Sequence, residues 1–140
     1  MTLSARIAVL ASLACSSCVQ YSNAWMAGRT AAAAENRVML IRRQPPSFGQ
    51  HRLDYQSALY PDLALFLRKF GSPEFLAEMS NDDQHYLILY YLPKRQAYAC
   101  RTKGRFGHEV EFAGPYPITK HEFELLDGFR RQAARINRKN

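Results

Sequence analysis

The sequence predicts an α+β domain, a small antiparallel β-meander of three to four strands with helices packed on it. Three observations lead there. Gln84–Leu92 (QHYLILYYL) is rich in β-branched and aromatic residues and is the strongest strand signal in the chain. Two more strand-like segments, Ala97–Lys103 and Glu109–Ala113, follow it across short turns. Apolar residues at helical spacing flank the group: Leu59, Leu63, Phe66, Leu67 and Phe70 before it, and Phe123, Leu126, Phe129, Ala133 and Ile136 after it.

The elements follow in chain order. Thr30 and the stretch AAAAENRVMLIRR after it read as a local helix, with Thr30 as N-cap and alanines as strong helix formers. Gln44–Gly49, with Pro45-Pro46, reads as a linker or turn. The span Asp54–Phe70 is helical, starting or kinking at Pro61. Proline's missing N–H is tolerated in a first turn, and Asp62 there complements the macrodipole. Gly71 suits the residue just past the helix end, and Pro73 prevents continuation. Glu74–Met79 leads to a turn at Asn81-Asp82-Asp83. The apolar run of Gln84–Leu92 is continuous rather than alternating, so a central strand covered on both faces is expected. Pro93–Gln96 is a tight turn, Gly104–Gly107 a second, and Glu109–Ala113 alternates as a half-exposed strand. Gly114-Pro115-Tyr116-Pro117 is expected to break the sheet. Thr119 with Glu122 is a capping box, Ile118 can staple onto Phe123, and Gly128 weakens the final helix.

The N-terminal residues address location. Met1–Arg6 carries one positive charge, and Ile7–Ala14 (IAVLASLA) is an uncharged, largely apolar run followed by small residues and cysteines. That is the layout of a secretory signal, and the run is far below the ~20 residues that span a bilayer. Bacterial lipoprotein signals end at a cysteine behind small residues. Cys18, behind Ser16-Ser17, is the favoured lipid acceptor, and Cys15, behind Ala14, is the alternative; neither has an aliphatic residue three positions upstream. Plain cleavage after Ala24 is a further option. The expected organisation is a lipoprotein-type signal peptide at 1–17, a lipid anchor and linker at 18–50 with room for a short helix, and an α+β domain with a basic C-terminal tail at 51–140. Cys15 and Cys18 also form C-x-x-C, but a redox pair belongs at a helix start after a strand, and a structural zinc site needs about four ligands. Only Cys100 remains, in a strand-like segment where a buried, inert thiol is expected.

Composition narrows the function classes. The net charge of +7 suits an acidic partner, but the charges are dispersed and densest at Arg130, Arg131, Arg135, Arg138 and Lys139. No nucleic-acid module accompanies them, so nucleic acid is not expected as a partner. There is no phosphate loop, nucleophile elbow or H-E-x-x-H motif. His108 with Glu109 and His121 with Glu124 make at best weak metal pairs, and His51 and His85 stand apart from both. Catalysis, metal, cofactor and small-molecule substrate are therefore not expected. Aromatic and basic residues near turns are the candidate contacts for a partner protein: Tyr91, Arg95, Tyr98, Arg105, Phe106 and Tyr116.

Residues 63–101 (LALFLRKFGSPEFLAEMSNDDQHYLILYYLPKRQAYACR) have a distinctive cadence: a short helix ending in Phe70-Gly71-Ser72-Pro73-Glu74, then a strand, a turn, an aromatic strand with Tyr90-Tyr91, a turn and a further strand. This resembles the SmpA/OmlA (BamE-like) small outer-membrane lipoproteins, where a helix ends in a Leu-Gly-x-Pro-type turn before a three-stranded antiparallel sheet. The chain departs from the family at the helix entry, with Leu59-Tyr60-Pro61-Asp62 in place of a Gly-Met/Val-Thr-like segment, and in the helix after GPYPIT. The resemblance implies a lipid-anchored accessory subunit of an outer-membrane or periplasmic protein complex. Two alternatives stay open: a soluble periplasmic ligand-binding or inhibitor domain, and a cytosolic nucleic-acid-binding protein.

Overall fold

The computed structural model describes residues 38–80, 85–102 and 108–139. Their elements, in order, are β1 (Val38–Leu40), α1 (Phe48–Leu59), α2 (Pro61–Phe70), β2 (Phe75–Ser80), β3 (His85–Tyr91), β4 (Gln96–Thr102), β5 (Val110–Pro117) and α3 (Lys120–Asn137). The strands form one sheet in the order β1-β2-β3-β4-β5, with each neighbouring pair antiparallel. The fold is α+β as expected, with five strands rather than three or four.

Alternation along the strands sorts the core onto two faces. Phe75, Ala77, Ile88, Tyr90, Leu92 and Ala97 face one side, where Ile118 and Leu126 join them with Phe123 and Phe129 of α3. Leu76, Leu87, Leu89, Tyr91, Cys100 and Val110 face the other, under Leu53 of α1 and Leu63 of α2. This explains the unbroken apolar run of β3: Leu87 through Tyr91 are all buried, because helices cover the strand on both sides.

Pro61 opens α2 at its first turn, so the expected helical span is two helices broken at Tyr60, which closes α1 and opens α2. Asp62 of that first turn accepts a bond from Val110 N at 3.3 Å. Gly71 ends α2 with φ +84°, a left-handed value that glycine adopts without strain. At α3 the capping box is present: Glu122 N donates to Thr119 Oγ1 at 3.2 Å, and Thr119 N donates to Glu122 Oε2 at 2.8 Å.

Several expectations need correction. Val38–Leu40 is a strand, not helix; pairing with Phe75–Ala77 outweighs the propensity of the preceding alanines, which lie outside the described residues. The stretch read as linker up to residue 50 therefore contributes a sheet edge and the start of α1. Gly114–Pro117 does not end the sheet but continues β5 past an irregularity in its pairing with β4 at Ala97 and Ala99. β5 is an edge strand, where proline's missing N–H breaks no ladder bond on its open side. Gly114, at φ +122°, lies so close to Ala97 that an added Cβ would stand 3.0 Å from its carbonyl oxygen. In α3 the apolar stripe is packed only through Phe129; Ala133 is half-buried and Ile136 is exposed. Leu59 is likewise exposed rather than part of the core. The turns expected at 81–83 and 104–107 lie outside the described residues.

Gly128 sits inside α3, where a Cβ would meet nothing within 4 Å. Gly128→Ala is expected to raise stability by about 0.5–1 kcal/mol, read as a higher urea midpoint at an unchanged m-value.

Candidate interaction surface

Helix α1 is fastened to the sheet edge at its first turn. Ser47 Oγ accepts from Gln50 N at 3.1 Å and from Arg42 N at 3.0 Å, and donates to Leu40 O at 2.6 Å. A side chain on Gly49 would place its Cβ 2.4 Å from Leu40 O and 2.9 Å from Met39 Cβ, so only glycine lets the helix lie this close to β1. With Gly49, Leu53 and Gln56 turned inward and buried, a second row falls on the flank of the helix: Phe48, Arg52, Tyr55 and Leu59, spaced at i, i+4, i+7 and i+11.

Three members of that row are exposed large apolar side chains. Phe48 is 70% exposed, Tyr55 55% and Leu59 39%, and Leu65 of α2 adds a fourth exposed apolar group on the next helix. Scattered single apolar residues on a surface need no explanation; here three of them line one flank of a single helix, with an arginine between them.

The fourth member, Arg52, ties this row to the interior. Its guanidinium makes two hydrogen bonds to the Glu78 carboxylate of β2, Nε to Oε2 at 2.9 Å and Nη2 to Oε1. Gln56 Nε2 donates to Glu78 Oε1 at 2.9 Å, and His85 Nε2 lies 3.3 Å from the same oxygen. The bond to Glu78, opposed by desolvation, holds the Arg52 guanidinium above its ordinary pKa. A bidentate arginine–carboxylate pair is rigid as well as strong. The fixed guanidinium lies 5.3 Å from the centre of the Tyr55 ring, within cation–π range. The half-buried carboxylate thus orients an arginine, and the arginine buttresses an exposed tyrosine. Tyrosine and arginine are the residue types that most often carry interface energy, and holding them in place before binding lowers the entropy cost.

Burial lowers the pKa of His85; the Glu78 carboxylate opposes the shift and Arg52 adds to it. The folded state thus binds this proton less readily than the unfolded chain, whose value is near the ordinary 6.5. His85 therefore supports stability fully above about pH 6.5 and less as the pH falls below it. Replacing His85 with Gln is expected to flatten the acid limb: the stability difference between wild type and variant shifts toward the variant from pH 7.5 to 5.5, measured by urea unfolding at each pH.

The contacts expected from sequence are dispersed. Tyr91 is buried, and its hydroxyl donates to Gly71 O at 2.9 Å. Burial raises its pKa. Tyr98 is half-buried in an aromatic cluster with Phe66, Phe70 and Tyr91, at centroid distances of 4.9, 5.3 and 5.8 Å. Arg95 is exposed, but its guanidinium packs 4.2 Å over the Phe123 ring on the opposite side of the sheet. Tyr116 is half-buried near the end of β5, opposite Ala97. Arg105 and Phe106, with Cys15 and Cys18, lie outside the described residues. Tyr91 is thus a core residue rather than a contact, and Tyr91, Arg95, Tyr98 and Tyr116 do not form one surface. Cys100 is buried with its thiol pKa pushed up by desolvation, the environment of an inert thiol. Among the described residues, no group of three or more His, Cys, Asp or Glu side chains is arranged to hold a metal, and no helix is long and apolar enough to cross a membrane.

The row on α1 was missed because its first member lies in the stretch read as linker. The spacing from Phe48 to Leu59, directly after a capping serine, is the signal that finds it. No family model matches the chain, and comparison with curated proteins and with solved structures found no match.

Proposed function

We propose that the protein is a non-catalytic lipoprotein of the bacterial cell envelope, anchored through Cys18 on the periplasmic side of the outer membrane, and that it binds a larger envelope protein complex through the outer flank of α1. The observation that carries the binding role is the aligned row Phe48, Arg52, Tyr55 and Leu59, with Arg52 fixed by Glu78. The anchor rests on the signal-like run Ile7–Ala14 and the cysteines behind it. The cadence of residues 63–101, which resembles the SmpA/OmlA lipoproteins, supports the same compartment.

In this reading Tyr55 is the central anchor, Phe48 and Leu59 extend the apolar contact, and Arg52 supplies a planar cation. A photo-crosslinking residue placed at position 55 tests it in intact cells. The expected result is a crosslinked band of defined size from position 55, lost on adding Leu59→Glu, and no band from the same residue at exposed position 121. Equal crosslinking from both positions, or none from position 55, overturns the docking face.

A further inference from the structure

Helix α3 changes character along its length. Over the sheet its charges are matched: Lys120 lies 3.8 Å from Glu124, and Asp127 lies 2.5 Å from Arg130 and 3.2 Å from Arg131. Beyond Asp127 the helix has no acidic residue, while Arg130, Arg131, Arg135, Arg138 and Lys139 follow. From Arg130 to Lys139 every residue except Ala133 is exposed. The apolar stripe nevertheless continues into this stretch. At 3.6 residues per turn, Phe129, Ala133 and Ile136 share one side of the helix. Phe129 packs on the core, while Ile136 is 57% exposed. On the same helical geometry Arg130 and Arg135 flank the stripe on either side, and Arg131 lies opposite it.

We infer that the last two turns of α3 form an interfacial element that lies on an anionic phospholipid surface, with Ile136 and Ala133 entering the headgroup boundary and the flanking arginines reaching the phosphates. Charge complementarity identifies the partner's sign, and the apolar stripe identifies its class. A polyanion such as nucleic acid would pair with the arginines but leave Ile136 in water, whereas a lipid surface accepts both. Basic groups beside an apolar stripe are the composition of an interfacial helix, and arginine stems reach past apolar surface to keep their heads among phosphates. The inference draws only on α3, so it stands or falls apart from the lipid at Cys18 and from the α1 surface.

The test uses the full chain carrying Cys15→Ser and Cys18→Ser, so that no lipid contributes. Binding is measured by flotation with vesicles of phosphatidylcholine alone and of phosphatidylcholine with phosphatidylglycerol. The expected result is binding to the anionic vesicles about tenfold or more tighter than to the neutral ones, reversed by added salt. Replacing Arg130, Arg135 and Arg138 together with Gln should bring binding to the two vesicle types to within about twofold of each other. Ile136→Ser should weaken binding to anionic vesicles about threefold or more with the charge intact. All four positions are exposed, and an unchanged circular dichroism spectrum and melting temperature confirm that the variants fold. Equal binding to both vesicle types overturns the inference, and so does an unaffected triple-glutamine variant. An Ile136→Ser variant that binds anionic vesicles as well as its parent, while duplex DNA binding depends on the same arginines, assigns the patch to nucleic acid instead.

Discussion

Phe66→Ala is expected to cost about 2–3 kcal/mol of stability. Phe66 projects from α2 into a cluster of four other rings and touches three of them. It stacks on Phe112 at 4.5 Å with an interplanar angle of 6°, meets Tyr98 edge-on at 4.9 Å and lies 4.4 Å from Phe70. Through these contacts it joins α2 to β4 and β5, strands far from it in sequence. Truncation removes the packed part of a half-buried ring and forfeits aromatic pair contributions of about 0.5–1.5 kcal/mol each. Chemical unfolding followed by circular dichroism measures the loss. Phe66→Leu, which keeps most of the volume, should lose less than half as much; equal losses would show that shape, not volume, decides.

Glu78→Ala is expected to cost about 2–3 kcal/mol, because it removes the acceptor shared by Arg52 and Gln56 and leaves a half-buried guanidinium uncompensated. Removing one partner of an ion pair costs more than replacing both. The triple variant Arg52→Met, Gln56→Leu and Glu78→Leu, which also removes the buried amide that would lose its acceptor, should therefore recover most of the loss. The same pair of variants separates stability from binding. The triple variant keeps the fold but removes the buttress beneath position 55, so crosslinking from position 55 should weaken while unfolding stays near wild type.

The elements that could be read from sequence are those whose boundaries rest on local chemistry. Pro61 marks a first turn, Gly71 a left-handed stop, and Thr119 with Glu122 a capping box, and each acts within a few residues of itself. The apolar run Leu87–Leu92 announced a doubly covered strand because burial on both faces leaves no room for alternation. What could not be read depends on partners distant in the chain. β1 is three residues long, too short for any period, and it is a strand because Phe75–Ala77 lies beside it. α1 hides its inward face behind polar groups: Gln50 and Gln56 are buried, satisfied in part by Asp54 and Glu78, while Phe48 and Tyr55 are exposed. Apolar periodicity alone therefore points to the wrong side of this helix. The same inversion explains the candidate site. Tyr91 and Tyr98 look like contact residues by type, yet the pleat turns both toward α2. The spacing of Tyr55 with Phe48 and Leu59 is present in the sequence, but the Arg52–Glu78 pair that holds it depends on a strand 26 residues away.

The mass of the N-terminal peptide of the protein purified from bacterial cells is the decisive measurement for the proposed lipid anchor. With the anchor as proposed, that peptide begins at Cys18 and carries covalent lipid on that cysteine. A peptide that begins at Met1, or one that begins at Trp25 without lipid, would contradict it.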